Sequence, residues 1–376
     1  MSTLKVNTIR HTGASSDAVT LASDGTCTAK VTNNLSNRNL IINGEMIVAQ
    51  RSTSAVNNSA ATSTLKYETI DRWGYWANAA SVFSIQQVDD SPADFQKSLK
   101  VTSLGARSIV AGDYYMVAQR LEGQNIQHLN WGTANAKDCV LSFHVKSSLT
   151  GTFTGYLHGT DNFKPTYIFT YTISSADTWE KKEITITAPG TAQAGDFGSA
   201  GSNTKGLEIG FNLGVGTTYA TSSVNQWTEG FFMIGTTSSV DVVATNAATW
   251  QVTGVQLEVG HATDFEHRSY GDELARCERY FQKIDYQVGS GSSGNKVYYY
   301  SNIPFKTEMR EGPALYAHTA YNSDSGNFVT YVDGDYTTQT TGCTLDAATT
   351  SAITVHGGSS NTYHWIKGRV HLKAEL

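Results

Sequence analysis

Charge is scarce in this chain. Of its 376 residues only 16% are Asp, Glu, Lys or Arg, against about 25% in an average soluble domain, so the surface must be dressed with hydroxyls, amides and glycine. Lys and Arg number 27 against 33 Asp and Glu, a formal net charge of −6. Without a basic excess to gather phosphates, no nucleic-acid partner is expected. No apolar run approaches the ~18 residues that a membrane-spanning helix requires, and the opening MSTLKVNTIR is polar where a secretory leader would be apolar. Neither membrane insertion nor export is expected. Proline falls to 5 residues and cysteine to 4, at Cys27, Cys139, Cys277 and Cys343. No two cysteines have the spacing of a zinc or redox pair, so they are expected to be free, mostly buried thiols made in a reducing compartment. Catalytic signatures are missing too: there is no H-E-x-x-H, no G-x-S-x-G, no Walker loop and no histidine cluster with metal spacing.

Hydroxyl residues fill the gap. There are 36 Ser, 47 Thr and 34 Gly, alongside 11% aromatics, which suits short strands, frequent turns and bulky cores. Residues 1–40 differ from the rest: they hold no Trp, Tyr, Phe or Pro, and their apolar residues come in short alternating pairs such as Leu4 with Val6 and Val19 with Leu21. That is too little to close a core. The segment is either an extended arm that completes its burial against other chains or a disordered tail, and the strand-turn pattern around Gly13 and Gly25 favours the arm.

From residue 41 to 270 the pattern is strand, turn, strand. Cys139, Leu141, Phe143 and Val145 alternate with Val140, Ser142, His144 and Lys146, and Leu207, Ile209, Phe211, Leu213 and Val215 give five inward positions in a row, the period of half-buried antiparallel strands. Strands of this kind between Gly, Ser, Thr and Asn turns predict a jelly-roll β-sandwich. In TWQVTGVQLEVG the inward parity changes between Val252 and Val255, which places a bulge at Gly254. Residues 271–283 read as one short helix, acidic in its first turn and basic in its last. Leu274, Cys277 and Phe281 are spaced like a coiled-coil seam, which serves equally as an oligomer contact or as packing on the chain's own sandwich. A Gly/Ser stretch completes a helix-and-linker segment, 271–295; its G-x-G-x-x-G match at Gly289, Gly291 and Gly294 follows a helix and opens a strand, the reverse of a dinucleotide site. Residues 296–376 predict a second unit of strands. The fold class expected is therefore all-β: an extended N-terminal arm, a jelly-roll β-sandwich, one short helix and a second small C-terminal β-sandwich.

Sugars offer C–H faces to aromatic rings and hydroxyls to amides and carboxylates, so aromatic clusters near Asn and Asp are candidate glycan contacts, although most buried aromatics are core. The clusters are Trp73, Tyr75 and Trp76; Tyr114 and Tyr115; and the Tyr298–Tyr300 run, from which Tyr299 is taken. On the 207–215 strand the face opposite the core reads Glu208, Gly210, Asn212, Gly214. Its bare backbones suit a sugar ring, a covering loop or a second subunit, with loop or subunit packing favoured; Asn212 joins the candidates. His144 falls on an outward position and reads as a solvated surface histidine. Asp89 and Asp90 are adjacent and point to opposite faces, so they cannot flank one glycosidic bond. No catalytic group, cofactor site or metal ligand set is expected, and no loop has a calcium pattern.

Four blocks carry a resemblance. NLIINGEMIVAQRSTS (39–54) followed by YETIDRWGYW (67–76) resembles the opening of a β-sandwich domain of tail fibre and tail-associated proteins of tailed bacteriophages, especially marine and cyanophage-like ones. The usual wording there is close to N-G-x-M-x-x-A-Q-R-x-x-S and then D-R-W. The likeness continues through residues 119–153 and 252–283, covering the central domain and helix. The LKVNTIRHTG and VTLASDGT phrases of the arm resemble fibre attachment segments, and IPFKTEMREGPAL (303–315) is similar to the start of their distal β-domain. The resemblance implies a virion structural protein, synthesised in the host bacterial cytoplasm, forming a homotrimeric fibre or tip whose sandwich is like carbohydrate-binding modules. It transfers no catalytic residue. Expected partners are further copies of the chain, virion tail or adaptor proteins bound through residues 1–40, and a host-surface glycan. The arm contributes Leu4, Val6, Val19 and Leu21 to the oligomer contacts, with Leu274, Cys277 and Phe281. Because the arm is short, a capsid or neck decoration protein without a receptor role is the alternative; a polysaccharide depolymerase is a second.

Overall fold

The two-residue periodicity of the sequence is realised as strands in a computed structural model, which describes residues 5–15, 17–23, 25, 27–29, 36–59, 65–161, 163–198, 201–291, 297–319, 329–332, 335–338, 343–359 and 363–376. The arm forms a three-stranded antiparallel sheet of β1 (Thr8–Ile9), β2 (Val19–Leu21) and β3 (Cys27–Ala29). Val6 and Leu21 are exposed and Val19 is half-buried; Leu4 lies outside the described residues.

The central region is a two-sheet antiparallel β-sandwich. Its first sheet contains β4 (Val56–Asn57), β6 (Phe83–Val88), β7 (Ser98–Ser103), β9 (Cys139–Ser147), β12 (Glu180–Ile186) and β15 (Thr249–Val259), in the order β12-β9-β15-β7-β6-β4. The second contains β5 (Gly74–Ala77), β8 (Tyr114–Glu122), β10 (Gly151–Asp161), β11 (Lys164–Ile173), β13 (Lys205–Val215) and β14 (Trp227–Thr228), in the order β14-β11-β10-β13-β8-β5. The inward residues inferred on β9 and, from Leu207 to Leu213, on β13 meet between the sheets. The Phe211 ring sits at the centre, 5.1 Å from both Phe143 and Trp250, and the Trp250 indole N–H donates to the Tyr171 hydroxyl at 3.1 Å. Each large ring removed from water contributes about 2–3 kcal/mol, and interlocked aromatics add to this through their edge-to-face preference.

Gly254 has φ +61°, and the pairing of β15 with β9 shifts register between Thr253 and Gln256. A Cβ there would fall 2.5 Å from the Phe95 ring, so glycine meets both the left-handed backbone and the close approach. Of three expectations about faces, those for Val215 and His144 need correction. Val215 turns to the outer side of the second sheet, because the pairing of β13 with β8 shifts register between Asn212 and Gly214. The Glu208–Gly214 face carries the covering loop favoured from the sequence: residues 216–241 fold over it, and Phe232 and Ile234 pack with Met116 and Tyr156 in an outer apolar cluster. His144 is half-buried beneath Phe95, with ring centroids 5.0 Å apart, and not solvated.

The helix spans Tyr270–Glu278, capped by the Ser269 hydroxyl, which accepts from the Asp272 N–H. It stops before the expected residue 283 because Phe281 opens β16 (Phe281–Gly291), which takes Gly289 and Gly291 into a strand; Gly294 lies outside the described residues. The coiled-coil reading is thereby corrected. Cys277 is fully buried against Ile42, Val48 and Tyr280, with Leu274 packed on the same cluster, and Phe281 is a buried strand residue. All three pack within their own chain. β16 then pairs along its length with β23 (Tyr363–Lys373), in a five-stranded sheet that also holds β18 (Ala314–Thr319), β19 (Val329–Val332) and β20 (Asp335–Thr338). β17 (Val297–Pro304), β21 (Cys343–Ala348) and β22 (Ala352–Ser359) form a three-stranded sheet.

Candidate functional site

The aromatic candidates are mostly core. Trp73, Tyr75, Trp76 and Tyr115 are between 0% and 5% exposed, so they present no ring face to a ligand. Trp73 donates its indole N–H to the Asn43 carbonyl at 3.0 Å, and the Tyr75 hydroxyl donates to Glu68 at 2.7 Å. Asn212 is also fully buried, its amide donating to Thr154 and Ser239, each at 3.1 Å. Tyr114 is half-buried, edge-on to Phe232 and Tyr219. Tyr299 pairs with Gly357 through its backbone; its side chain lies outside the described residues. The physical reason is common to the first five: strand parity tells which side of a sheet a residue faces, and both sides of the second sheet are covered.

The blocks 39–54 and 67–76 meet at a polar joint. Asn43 donates to the carbonyls of Val48 and Asp71 and accepts from the Val48 N–H. A Cβ at Gly44 would fall 2.2 Å from the Val255 carbonyl oxygen. Arg51 donates to Asp71 at 2.7 Å and to Glu375 at 2.8 Å, and stacks 3.7 Å over the Phe281 ring. Arg72, fully buried, pairs with the other Glu375 oxygen and lies 3.5 Å over the Tyr280 ring. Arg310 donates to the carbonyls of Ala374 and Glu375. These arginines fasten residues 374–376, which follow β23, onto the sandwich. Burying such charges is tolerable only because each is paired and hydrogen-bonded.

Beside this joint opens a cleft of about 370 Å³, within the size range of small-ligand sites. Arg51, residues 65–68 and Arg120 line it from the sandwich; Glu311, Gly312, Ala314 and residues 373–376 line it from the opposite side. Residue 66 is held by backbone bonds to Tyr75 at 3.0 and 2.9 Å, so alternation puts Leu65 and Tyr67 inward and leaves Lys66 and Glu68 half-buried. Tyr67 is buried, yet its hydroxyl has no hydrogen-bond partner. Burial, reinforced by Glu375, pushes that hydroxyl up to about 12, so it stays protonated. Arg120 donates Nε to Glu208 at 2.7 Å and Nη1 to Leu376 at 2.9 Å.

Beneath the cleft, Glu208 is the hub of a buried network. Tyr156 donates to it at 3.1 Å, the His158 Nδ1 lies 3.7 Å away, and the His158 Nε2–H donates to the Met233 carbonyl. Burial alone would raise the Glu208 carboxyl, but Arg120, His158 and Lys205 outweigh it and hold the group well below the usual carboxylate range. Sequence reading missed Lys66, Tyr67 and Arg120. Their only linear signal was the alternation around Tyr67, which does not mark a cleft. Among the described residues no three His, Cys, Asp or Glu side chains cluster as a metal site, and no helix is long and apolar enough to cross a membrane.

No protein-family model matches the chain, and no curated protein matches it. Solved structures give distant likenesses. The enzymatically active domain of tailspike protein 4 of bacteriophage CBA120 aligns at 13% identity and TM-score 0.33, over 61% of this chain and 24% of that one; the likeness thus spans about a quarter of the tailspike. A putative sugar-binding protein from Bacteroides thetaiotaomicron aligns at 14% identity and TM-score 0.31, over 59% of this chain and 100% of that one. A family 11 carbohydrate-binding module of a Clostridium thermocellum cellulosomal cellulase gives 14% identity and TM-score 0.27, over 56% and 100%.

Proposed function

We propose that the chain is a non-enzymatic structural protein of a bacteriophage virion, a tail fibre or appendage that is anchored through its arm and binds host-surface glycan in the cleft between sandwich and C-terminal strands. The observation that carries the binding reading is the cleft of about 370 Å³, whose lining includes Arg51, Lys66, Glu68, Arg120, Glu311 and Glu375, side chains that can meet the hydroxyls of a saccharide. The virion reading is supported by the resemblance of the sequence blocks, whose Asn43, Arg51, Asp71 and Arg72 build the joint. The arm's exposed Val6, Ile9 and Leu21 suit a segment that buries its apolar residues against further copies or a tail adaptor. In a homotrimer, weak contacts in each subunit multiply through effective concentration, so a modest cleft suffices.

The test is binding of the purified full chain to polysaccharide from candidate hosts, with product analysis and a solution mass measurement. Saturable binding without release of reducing ends, by a species of three-chain mass, is the expected result. Release of reducing ends replaces this reading with the depolymerase. Silence against every glycan replaces it with a capsid or neck decoration protein.

A further inference from the structure

The two outer faces of the sandwich are covered differently. Residues 216–241 roof the second sheet, whereas the first sheet is roofed by Phe95 around His144 and, farther along its strands, carries two rows of polar side chains. Strand register sets these rows. Lys146, Gln251, Lys100 and Gln86 stand side by side across β9, β15, β7 and β6. Two residues farther along, Thr249, Thr102, Ser84 and Asn57 stand side by side across β15, β7, β6 and β4. The residues between the rows, Trp250, Val101 and Ile85, belong to the central core, so alternation turns both rows outward. Members of a row are one strand spacing apart, about 4.8 Å, and the rows are about 7 Å from each other. Trp179 closes the first row. Its indole N–H donates to Asp90 at 3.2 Å, and the Lys146 ammonium lies 5.3 Å from its ring centroid. Asp90 also accepts from Lys146 and, at 3.1 Å, from Gln251, so this end of the row is fixed before any ligand arrives. Toward the other end Gln86, Lys100, Thr102 and Thr249 are half-buried and Asn57 is exposed. None of these five side chains has a hydrogen-bond or ion-pair partner among the described residues.

We infer that this face is a platform for a linear, neutral, β-1,4-linked polysaccharide lying across the strands. One hydroxyl edge of the sugar ribbon meets the row from Lys146 to Gln86, the other meets the row from Thr249 to Asn57, and a pyranose at one end lies against Trp179. The repeat of such a ribbon is close to the spacing between strands, so successive sugars meet successive strands. Its hydroxyls both give and take hydrogen bonds, which amides, hydroxyls and an ammonium can answer, and its C–H faces suit an aromatic ring. A face that only meets water is served as well by long ion-paired side chains, such as Lys181 with Glu183 on the edge strand β12, 45% and 50% exposed. Short side chains let a polymer lie close to the sheet, and groups already held by strands and by Asp90 lose little freedom when it binds. The cleft lies on the other side of the sandwich, where its Arg120 packs over Trp76 outside the second sheet. The platform does not depend on it.

The experiment is calorimetric titration of the full chain with β-1,4-linked gluco- and manno-oligosaccharides, as disaccharides and hexasaccharides, and with an α-1,4-linked glucan hexasaccharide, whose coiled backbone does not lie flat. At least one β-1,4-linked hexasaccharide binds about tenfold or more tighter than its disaccharide and than the α-linked chain, because only an extended chain spans the four strands, about 14 Å. Thr102→Arg, which raises a bulky group in the middle of the second row, and Trp179→Ala each lower that affinity about tenfold or more without shifting the urea midpoint. Should Thr102→Arg shift the midpoint, Lys100→Ala, at an outward position without a partner, takes its place with a loss of about three- to tenfold. Equal affinity for the short and long β-linked chains, an α-linked chain bound as tightly, or no binding by any β-1,4-linked hexasaccharide overturns the platform. Hexasaccharide binding untouched by these substitutions overturns it too; if that binding is lost instead in a Lys66→Gln, Glu68→Gln double variant, glycan binding in the cleft stands.

Discussion

The sandwich and the arm are built from strands of the same kind, yet only one of them owns a core. In the sandwich, Trp73, Phe143, Phe211 and Trp250 are at most 1% exposed, and each strand finds a second layer to cover it. In the arm, β1 to β3 pair in register while Ile9 stays 56% exposed. Backbone pairing alone does not make a stable unit in water, because three short strands bury too little apolar surface. The sandwich is thus self-sufficient, and the arm is a segment whose apolar residues look outward for cover.

That contrast can be broken or sharpened by experiment. The largest effect is expected from Trp250→Ala, which opens a cavity among the central rings and destabilises the sandwich by about 3–5 kcal/mol in denaturant titration; a loss under 1 kcal/mol would show that the core is not where stability resides. Next, Arg72→Met leaves a Glu375 oxygen without its buried partner, an expected cost of about 3 kcal/mol, and should loosen residues 374–376 in hydrogen exchange. Third is a pH effect. The Glu208 carboxyl is held below its ordinary value of 4.5 in the folded chain. Its stabilisation is therefore present above that value and is lost as pH falls below it. Urea midpoints of the protein and of Glu208→Gln should converge between pH 7 and pH 3, and a constant gap would refute the charge network. The smallest effect is expected from deleting residues 1–35, which should change sandwich stability by less than about 0.5 kcal/mol. A larger drop would mean that the arm packs on its own chain.

Much of the sandwich was legible in the sequence. The inward sets on β9 and, up to Leu213, on β13 and the bulge at Gly254 follow from strand periodicity and from glycine's access to positive φ, both of which are local. The site was not legible, for a reason visible in Trp76 and Asn212. Each faces away from the central core, as parity requires, and each is buried because residues 216–241 cover that side. Leu274 and Cys277 show the same limit: their helical spacing marks a packing stripe without naming what it packs against, and Ile42 and Val48, more than two hundred positions earlier, provide the answer.

The sequence by itself determined strands such as β9 and β13, the change of register at Gly254, a short helix starting near residue 271 and an arm poor in core-forming residues, because these depend on neighbours within a few positions. Only the tertiary structure decided which aromatics are hidden and where the cleft lies. Arg72 and Glu375 meet although they stand 303 positions apart, and the cleft beside them exists only once that contact has closed. Burial and charge pairing depend on distance in space, and linear spacing carries no record of it.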